Sequence, residues 1–368
     1  MKEYDVVIVG SGPGGYIAAI RAAQLGYKVA VVERESSLGG VCLNWGCIPT
    51  KSLLKSAELY KKILEAKSFG IDIIGEIRPD ISAIVAHSRE SVGKLNQGVA
   101  MLMKKNNIEV IPGQAKTLGK GKISVASNRG SAISISARYI ILATGGSARV
   151  PAHLDTKLLW LAKDAMVPAS MPRSLLIIGS GAIGLEFASF YGALGCRVTV
   201  VEMKDRILPL EDKEVSSYMC GILRSQGMEI YTNSTVQALT GTDGSVIKAE
   251  IVKNEKASSP IVAEFDKVIC AIGIVPNTSN LGLENTKVKL DRTGYVVTDS
   301  MCRTDEHGMY AIGDVAGAPC LAHKASHEAV MCVEGIASAE GRIKKNVSPL
   351  NINNIPSCIY TIPQVASV

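Results

Sequence analysis

The apolar positions of the first 33 residues follow the order strand, turn, helix, strand. Residues 6–9 are all apolar, which predicts a strand that is covered on both faces. A glycine-rich turn follows and leads into an alanine-rich helical pattern that ends near Gly26. A second apolar run over residues 29–32 ends in Glu33. This order predicts a βαβ unit within a doubly wound parallel sheet.

The same order returns at a constant offset of 169 residues, with Gly10 matched by Gly179 and Glu33 matched by Glu202. Each copy is followed by a further apolar run, which predicts a partner strand, and by alternating segments, which predict antiparallel strands. The partner strands cover residues 139–143 and 268–272, and the alternating segments cover residues 122–135 and 246–263. The sequence therefore predicts an α/β fold with two doubly wound, Rossmann-like dinucleotide-binding domains, each with antiparallel strand insertions.

The pattern beyond residue 275 predicts short strands and turns, a buried run before Asp314, and a helix over residues 322–339. Polar residues near 349–354 indicate a boundary, and the last residues begin a new strand pattern. The predicted divisions are one discontinuous domain of residues 1–146 and 275–347, a second domain of residues 147–274, and a stub of a third at residues 348–368. The stub is too short to bury a core of its own.

Composition narrows the classes of function. The chain of 368 residues is 47% hydrophobic and 20% charged, as in globular proteins. Its net charge of +6 comes from scattered basic residues, and only 5% of residues are aromatic, which disfavours a nucleic-acid partner. Neither a signal peptide nor a membrane span is evident in the apolar pattern, so we expect a cytoplasmic protein without membrane association. In a reducing cytoplasm, a disulfide is more often catalytic than structural.

Both glycine turns have the spacing of a dinucleotide-binding motif. In the first, Gly10 serves the tight turn, Gly12 leaves room for phosphates, and Gly15 lets the helix pack closely on the strand. The second turn repeats these roles at Gly179, Gly181 and Gly184.

An acid follows each middle glycine by 21 residues, at Glu33 and Glu202, where a carboxylate can accept hydrogen bonds from ribose hydroxyls. Glu202 would repel a 2′-phosphate, which favours NAD over NADP although Arg206 is close in sequence. Two adenine dinucleotides in one chain predict FAD in the discontinuous domain and NAD in the second domain.

The segment of residues 39–51 contains Cys42 and Cys47, which are five residues apart. On a straight helix their Cα atoms would be roughly 8.7 Å apart. A disulfide tolerates at most about 7 Å between Cα atoms, so a bridged pair requires a distorted helix. Gly46 and Pro49 give the segment that freedom. We expect the other seven cysteines to be ordinary buried thiols.

The motif Gly-Gly-x-Cys-Leu-Asn-x-Gly-Cys-Ile-Pro-x-Lys at residues 39–51 and the two glycine turns resemble the pyridine nucleotide–disulfide oxidoreductase family over the whole chain. The Leu-Asn and Ile-Pro pairs resemble its lipoamide branch. The resemblance implies that Cys42 exchanges with the substrate thiol and that Cys47 faces the flavin as a thiolate. It also implies that Lys51 lies near the flavin and pairs with Glu186, stabilising thiolate and reduced flavin.

The resemblance implies further cofactor contacts. Those toward FAD are Gly10, Gly12, Gly15, Glu33, Gly40, Lys51, Gly113, Thr144, Gly145, Asp314, Leu321, Ala322 and His323. Those toward NAD are Gly179, Gly181, Gly184, Glu186, Glu202, Val236 and Gly273. Two positions depart from the family pattern, since Ile274 replaces a common arginine and Cys320 a common methionine. His323 and His327 are four residues apart, but without a His-Glu-x-x-His pattern we expect no metal.

The implied reaction is ping-pong: flavin-dependent oxidation of protein-bound dihydrolipoamide through a Cys42–Cys47 disulfide, with reduction of NAD. The implied partner is the lipoyl domain of a 2-oxo acid dehydrogenase or glycine cleavage complex, and the family forms homodimers. The family's last domain provides the dimer interface and a His-Glu acid–base pair. This sequence has no His-Pro motif, so we expect a chain that lacks most of that domain.

Two alternatives stay open at this point. Another disulfide reductase, of the glutathione or mercuric type, is opposed by Glu202 and by the Leu-Asn and Ile-Pro pairs. A flavoprotein with only dye-reducing activity, or with none, is favoured by the missing interface domain.

Overall fold

The computed structural model describes residues 1–127, 130, 132–242, 246–254 and 259–368. These residues form two compact units. The first unit comprises Met1–Asn44, Val92–Ser147 and Val275–Ile355, and the second comprises Trp45–Ser91, Ala148–Ile274 and Pro356–Val368.

The α-helices and β-strands are numbered in chain order. The helices are α1 (Pro13–Gln24), α2 (Gly40–Trp45), α3 (Cys47–Leu64), α4 (Ile81–Lys105), α5 (Ala162–Ala165), α6 (Ala182–Ala193), α7 (Lys213–Ser225) and α8 (Ala322–Ala339). The strands are β1 (Lys2–Val9), β2 (Val29–Glu33), β3 (Glu109–Pro112), β4 (Gln114–Gly119), β5 (Lys122–Ala126), β6 (Ala132–Leu142), β7 (Gly146–Ala148), β8 (Leu159–Trp160), β9 (Ser174–Ile178), β10 (Arg197–Val201), β11 (Glu229–Tyr231), β12 (Ser234–Thr240), β13 (Ile247–Lys253), β14 (Ile261–Phe265), β15 (Lys267–Cys270), β16 (Ile274–Pro276), β17 (Met309–Ala311), β18 (Ser357–Ile359) and β19 (Val365–Ser367).

The main sheet of the first unit has the order β3-β2-β1-β6-β5-β4, and β17 also pairs with β6. The predicted βαβ unit is present, because β1 pairs in parallel with β2 and with the partner strand β6. The predicted insertion is antiparallel, since β5 pairs with both β4 and β6. Residues 128, 129 and 131 of the alternating segment lie outside the described residues.

The second unit repeats this plan in a parallel sheet of order β11-β10-β9-β15-β8. Strand β9 pairs in parallel with β10 and with the partner strand β15, as the offset predicts. Strands β12, β13 and β14 form the antiparallel insertion as a separate sheet. Residues 243–245 and 255–258, of which the last four belong to the predicted alternating segment, lie outside the described residues.

The helices that follow the two glycine turns bury side chains of different size. Helix α1 buries only glycine and alanine and packs on α8. Helix α6 buries Phe187, Phe190 and Tyr191 and packs on α3. The buried Tyr191 hydroxyl donates a hydrogen bond to the Ala165 carbonyl oxygen at 2.7 Å, which satisfies its polar end. The parallel strands that flank the two turns pair alike, but the helices that cover them differ.

The compact units depart from the predicted domain bounds in two places. Residues 45–91 belong with the second unit rather than the first, because Leu53, Leu54 and Ala57 of α3 share a buried cluster with α6. The C-terminal hairpin of β18 and β19 also belongs there, since Ile359 and Val365 join the same cluster. The predicted stub is therefore divided, because its residues up to Ile355 belong to the first unit, whereas Ile359 and Val365 pack in the core of the second.

Helix α4 is 25 residues long, enough by length to cross a bilayer. It carries Arg89, Glu90 and Lys94 in its middle and two lysines in its last turn, which oppose burial in hydrocarbon. Within the described ranges, no helix combines the length and the apolarity that a membrane span needs.

Candidate active site

The first glycine turn joins β1 to α1. A Cβ at Gly10 would overlap the Ala143 carbonyl oxygen, and one at Gly15 would overlap the Gly10 carbonyl oxygen. Gly10 also has a positive φ of 99°. A Cβ at Gly12, in contrast, would meet only the Gly40 Cα at 3.9 Å, an ordinary contact. Packing therefore explains Gly10 and Gly15, whereas Gly12 leaves open the N-terminus of α1, where helix N–H groups favour phosphate.

Glu33 is buried beside this turn. Its Oε2 atom accepts hydrogen bonds from the Ser11 amide at 2.8 Å and from the Ser11 hydroxyl at 2.6 Å. Its Oε1 atom accepts one from the Glu35 amide at 2.9 Å. A carboxylate has about four acceptor positions, so one is left for a ribose hydroxyl. Glu33 thus also holds the turn, a role that its spacing alone does not predict.

The second glycine turn has the same hydrogen bonds 169 residues later. Glu202 accepts from the Ser180 amide at 2.9 Å, from the Ser180 hydroxyl at 2.7 Å and from the Lys204 amide at 2.9 Å. A Cβ at Gly181 would have no atom within 4 Å. A Cβ at Gly179 would overlap the Ala271 carbonyl oxygen, and one at Gly184 that of Gly179. Among the residues that the structure describes, none explains the middle glycine by packing, as in the first turn.

The surroundings of Glu202 bear on the choice between NAD and NADP. Arg206 contacts Asp205 at 3.3 Å and donates to the Pro209 carbonyl oxygen at 3.1 Å, so its guanidinium is held by its own loop. Val236 is buried, and its carbonyl oxygen accepts from the His153 ring at 3.1 Å.

Gly273 has a positive φ of 118°, and a Cβ there would have no atom within 4 Å. The space beside Gly273 is therefore open to a dinucleotide, whereas Val236 is buried in an apolar cluster.

The two cysteines of the redox segment lie on different helices. Cys42 is in α2, and Cys47 is the first residue of α3. Gly46 interrupts the helix between them with φ −141° and ψ −115°, so the two cysteines do not lie on one straight helix. The Thr50 hydroxyl donates to the Gly46 carbonyl oxygen at 2.7 Å and fixes the first turn of α3. Both cysteines are half-buried.

Lys51 and Glu186 form the predicted ion pair. The Lys51 ammonium donates to both carboxylate oxygens, at 2.8 and 2.9 Å. The Tyr360 amide donates to the same carboxylate at 3.0 Å, and the Lys51 ammonium lies 4.6 Å from the centre of the Tyr360 ring. The buried carboxylate is thereby compensated by one charge and one further donor. No motif in the sequence indicates Tyr360.

The Thr144–Gly145 turn after β6 is held by Asn277. The Thr144 hydroxyl donates to the Asn277 carbonyl oxygen at 2.8 Å, and the Asn277 side chain donates to the Thr144 carbonyl oxygen at 2.9 Å. A Cβ at Gly145 would have no atom within 4 Å. Gly113 differs, because a Cβ there would press on the backbone of β5. Packing alone explains Gly113.

Asp314 lies in the turn after β17, and Leu321, Ala322 and His323 begin α8. Burial raises the pKa of the Asp314 carboxyl, and the nearby Lys324 ammonium opposes that rise. Among the described residues, no group of three or more His, Cys, Asp or Glu side chains is placed to hold a metal ion.

The expectation that the other seven cysteines are buried is wrong for three of them. Cys220 and Cys320 are half-buried, and Cys358 is exposed. The alternation of β18 explains Cys358, since its neighbour Ile359 faces the core. Burial raises the pKa of the Cys196 thiol to about 12, as expected for an inert buried thiol.

The chain is similar to known proteins over most of its length. The family model described as pyridine nucleotide-disulphide oxidoreductase matches residues 4–329. A dihydrolipoyl dehydrogenase from Zymomonas mobilis subsp. mobilis is 48% identical over 371 residues, covering 100% of this chain and 77% of the relative. One from Rhizobium etli is 45% identical, covering 100% and 78%.

A solved structure, the Cu(II) complex of the HOCl-induced flavoprotein disulfide reductase RclA from Escherichia coli, has a TM-score of 0.86 with this chain. The two chains are 25% identical, and the match covers 100% of this chain and 77% of that one.

Proposed function

Because this chain belongs to the pyridine nucleotide-disulphide oxidoreductase family, we propose that it oxidises protein-bound dihydrolipoamide to lipoamide and reduces NAD to NADH. The observation that carries the proposal is the pair of matching glycine turns, each with a middle glycine that packing does not explain. Two dinucleotide sites in one chain suit a hydride relay between FAD and NAD.

The residues around each turn fit one cofactor. In the first unit, Gly12, the open Gly145 and the half-buried Asp314 would hold FAD. In the second unit, Gly181 and Glu202 would hold NAD, and the held position of Arg206 disfavours a 2′-phosphate. When bound, the two cofactors supply the hydride-transfer chemistry that protein side chains lack.

The cysteines would carry the dithiol half of the reaction. A dihydrolipoyl thiolate attacks the Cys42 sulfur, the Cys42–Cys47 bond breaks, and Cys47 leaves as a thiolate. The second substrate thiolate then attacks the substrate sulfur of the mixed disulfide, which releases lipoamide and leaves both cysteines reduced. The Cys42–Cys47 bond would re-form as the reduced pair gives up its two electrons and two protons, and bound FAD would be the electron acceptor. Lys51 lies four residues after Cys47 in α3, so its positive charge would be on the same side of the helix.

We also propose that the protein works in the cytoplasm and that its partner is the lipoyl domain of a 2-oxo acid dehydrogenase or glycine cleavage complex; a homodimer is expected for the full-length family. The names of the relatives support this partner class. Because the proposed exchange needs only the dithiol and the two cysteines, free dihydrolipoamide is a sufficient substrate for a test.

The decisive experiment counts thiols. The purified protein is incubated with NADH without oxygen and then alkylated, and the modified cysteines are identified by mass spectrometry. We expect NADH to expose two additional thiols, Cys42 and Cys47, and to do so far better than NADPH. Cys358→Ser is the matched control, because this exposed cysteine lies outside the redox segment.

Turnover provides the second measurement. We expect Cys42→Ser and Cys47→Ser to lose lipoamide reduction by at least about 100-fold while reduction of an artificial dye by NADH persists. Faster turnover with glutathione disulfide than with lipoamide, or a preference for NADPH, would contradict the proposed substrates. If the protein reduces the dye but the number of thiols does not change, its function is dye reduction alone and the cysteines take no part.

A further inference from the structure

The turn of residues 313–317 lies at the same sheet edge as the first glycine turn. Strands β1, β6 and β17 are parallel, and Val9, Leu142 and Ala311 at their carboxyl ends are in register. The residues that follow these ends therefore converge on one edge, where doubly wound sheets bind ligands. Gly14 also approaches this turn, since a Cβ there would lie 3.3 Å from the Ile312 side chain.

A buried ion pair on α8 holds both ends of this turn. The Lys324 side chain is 3% exposed, and its ammonium donates to the carbonyl oxygens of Gly313 at 3.2 Å and Gly317 at 2.9 Å. Its third contact is the Glu328 carboxylate at 3.1 Å. The other Glu328 oxygen accepts from the Gly313 amide at 2.7 Å. Asp314 lies between the two anchored glycines.

Stability alone is a weak reason for such a pair. Replacing a buried ion pair by apolar residues of similar volume is often neutral or stabilising, because both charges must be desolvated. What apolar residues cannot reproduce is the set of three directed hydrogen bonds to the main chain of residues 313 and 317. The pair therefore sets the shape of the turn that presents Asp314.

We propose that Lys324 and Glu328 are positioning residues that fix the Asp314 carboxylate so that it can accept hydrogen bonds from hydroxyl groups of FAD. The inference rests on the proposed FAD site in the first unit. Neither residue touches the reacting atoms, so their effect is on cofactor affinity before it is on the dithiol reaction.

The test compares flavin release with stability in the holoprotein. The FAD dissociation constant is measured from flavin fluorescence in a dilution series, and the unfolding midpoint is measured on the same samples. Lys324→Met and Glu328→Gln should each weaken FAD binding about tenfold or more. Lys345→Met is the matched control, because Lys345 pairs with Glu334 of the same helix, at 2.6 Å, away from the turn. That variant should retain its FAD affinity.

The double variant Lys324→Met/Glu328→Leu separates positioning from structure. Removing both charges removes the buried unpaired charge, so the unfolding midpoint should recover toward that of the unmodified protein. FAD binding should stay about tenfold weaker, because the turn is no longer anchored. Recovery of both properties would overturn the proposal, as would an equal loss of FAD in Lys345→Met. An unmodified chain that holds no FAD would instead overturn the proposed function.

Discussion

The two glycine turns use the same hydrogen bonds but support different helices. In each, a buried glutamate accepts from a serine amide, from that serine's hydroxyl, and from the amide two residues beyond the glutamate. The helices that follow diverge at equivalent positions. Gly14 of α1 lies against Ile312, whereas its counterpart Ile183 of α6 is exposed.

This difference shows which features belong to a dinucleotide turn and which belong to its neighbours. The turn itself needs two glycines that avoid carbonyl oxygens and one that leaves space for a ligand. The first turn also needs small residues on α1, because α8 packs closely against it. The second turn places Glu186 on α6, where it meets Lys51. The equivalent position in α1 is Ile17, which is uncharged.

The largest expected effect comes from comparing two glycines of the second turn, one that packing requires and one that faces open space. Gly179→Ala forces a side chain onto a positive φ and onto the Ala271 carbonyl oxygen, so the unfolding free energy should fall by about 3 kcal/mol or more. Gly181→Ala meets no atom and should change it by less than about 1 kcal/mol. Thermal denaturation measures both.

Gly181→Ala should change ligand affinity rather than stability. We expect the NADH dissociation constant to rise at least about tenfold, or about 1.4 kcal/mol. Unchanged NADH affinity in this variant would show that the open space beside Gly181 is not the phosphate site.

The next prediction concerns Glu186 of α6, which is charged, whereas the equivalent position of α1 is not. Glu186→Gln removes the carboxylate that pairs with Lys51, so the free energy of unfolding should fall by about 1–3 kcal/mol. The fall is smaller than for a fully buried pair, because water still reaches Lys51, which is one-third exposed. Dye reduction should change less than lipoamide reduction if Lys51 acts on the Cys47 thiolate. Ile17→Gln in the first unit is the positional control, and it should leave the ratio of the two rates unchanged.

The following prediction concerns the choice between NADH and NADPH. Glu202→Ala removes the carboxylate that opposes a 2′-phosphate, so kcat/KM for NADPH should rise relative to NADH by about tenfold. The loss of three hydrogen bonds to Ser180 and Lys204 should also cost about 1–3 kcal/mol. An unaltered NADH preference would assign specificity to other residues of the second unit.

The smallest effect concerns Asp314. Burial raises the pKa of its carboxyl, so the folded chain binds a proton more readily than the unfolded chain between the ordinary pKa and the raised one. Stability then falls as the pH rises through that window. In the flavin-free chain, Asp314→Asn should be slightly more stable than the unmodified protein at pH 7, by under about 1 kcal/mol. Denaturation at several pH values should show this difference vanishing as the carboxyl becomes protonated.

The internal repeat predicted more of the site than any single motif. Apolar runs and glycine spacing are local, so they identified β1, β2, β9 and β10 and the acids that follow the turns. The repeat could also have identified Ser11 and Ser180 as site residues, because Gly-Ser-Gly occurs in both turns at the same offset. The interruption between Cys42 and Cys47 followed from helix geometry and the glycine at position 46. The Lys51–Glu186 pair came only from the family resemblance.

Local patterns are enough to predict the two βαβ units, their glycine turns and the interrupted cysteine segment, because strand periodicity and turn chemistry depend on neighbouring residues. Packing of distant segments is what joins residues 45–91 to the second unit, brings Tyr360 to Lys51, and lets Lys324 and Glu328 anchor the Asp314 turn. The contact between Lys51 and Tyr360 joins side chains that are hundreds of residues apart in the chain. Such contacts depend on how helices pack on sheets, which a local pattern does not contain.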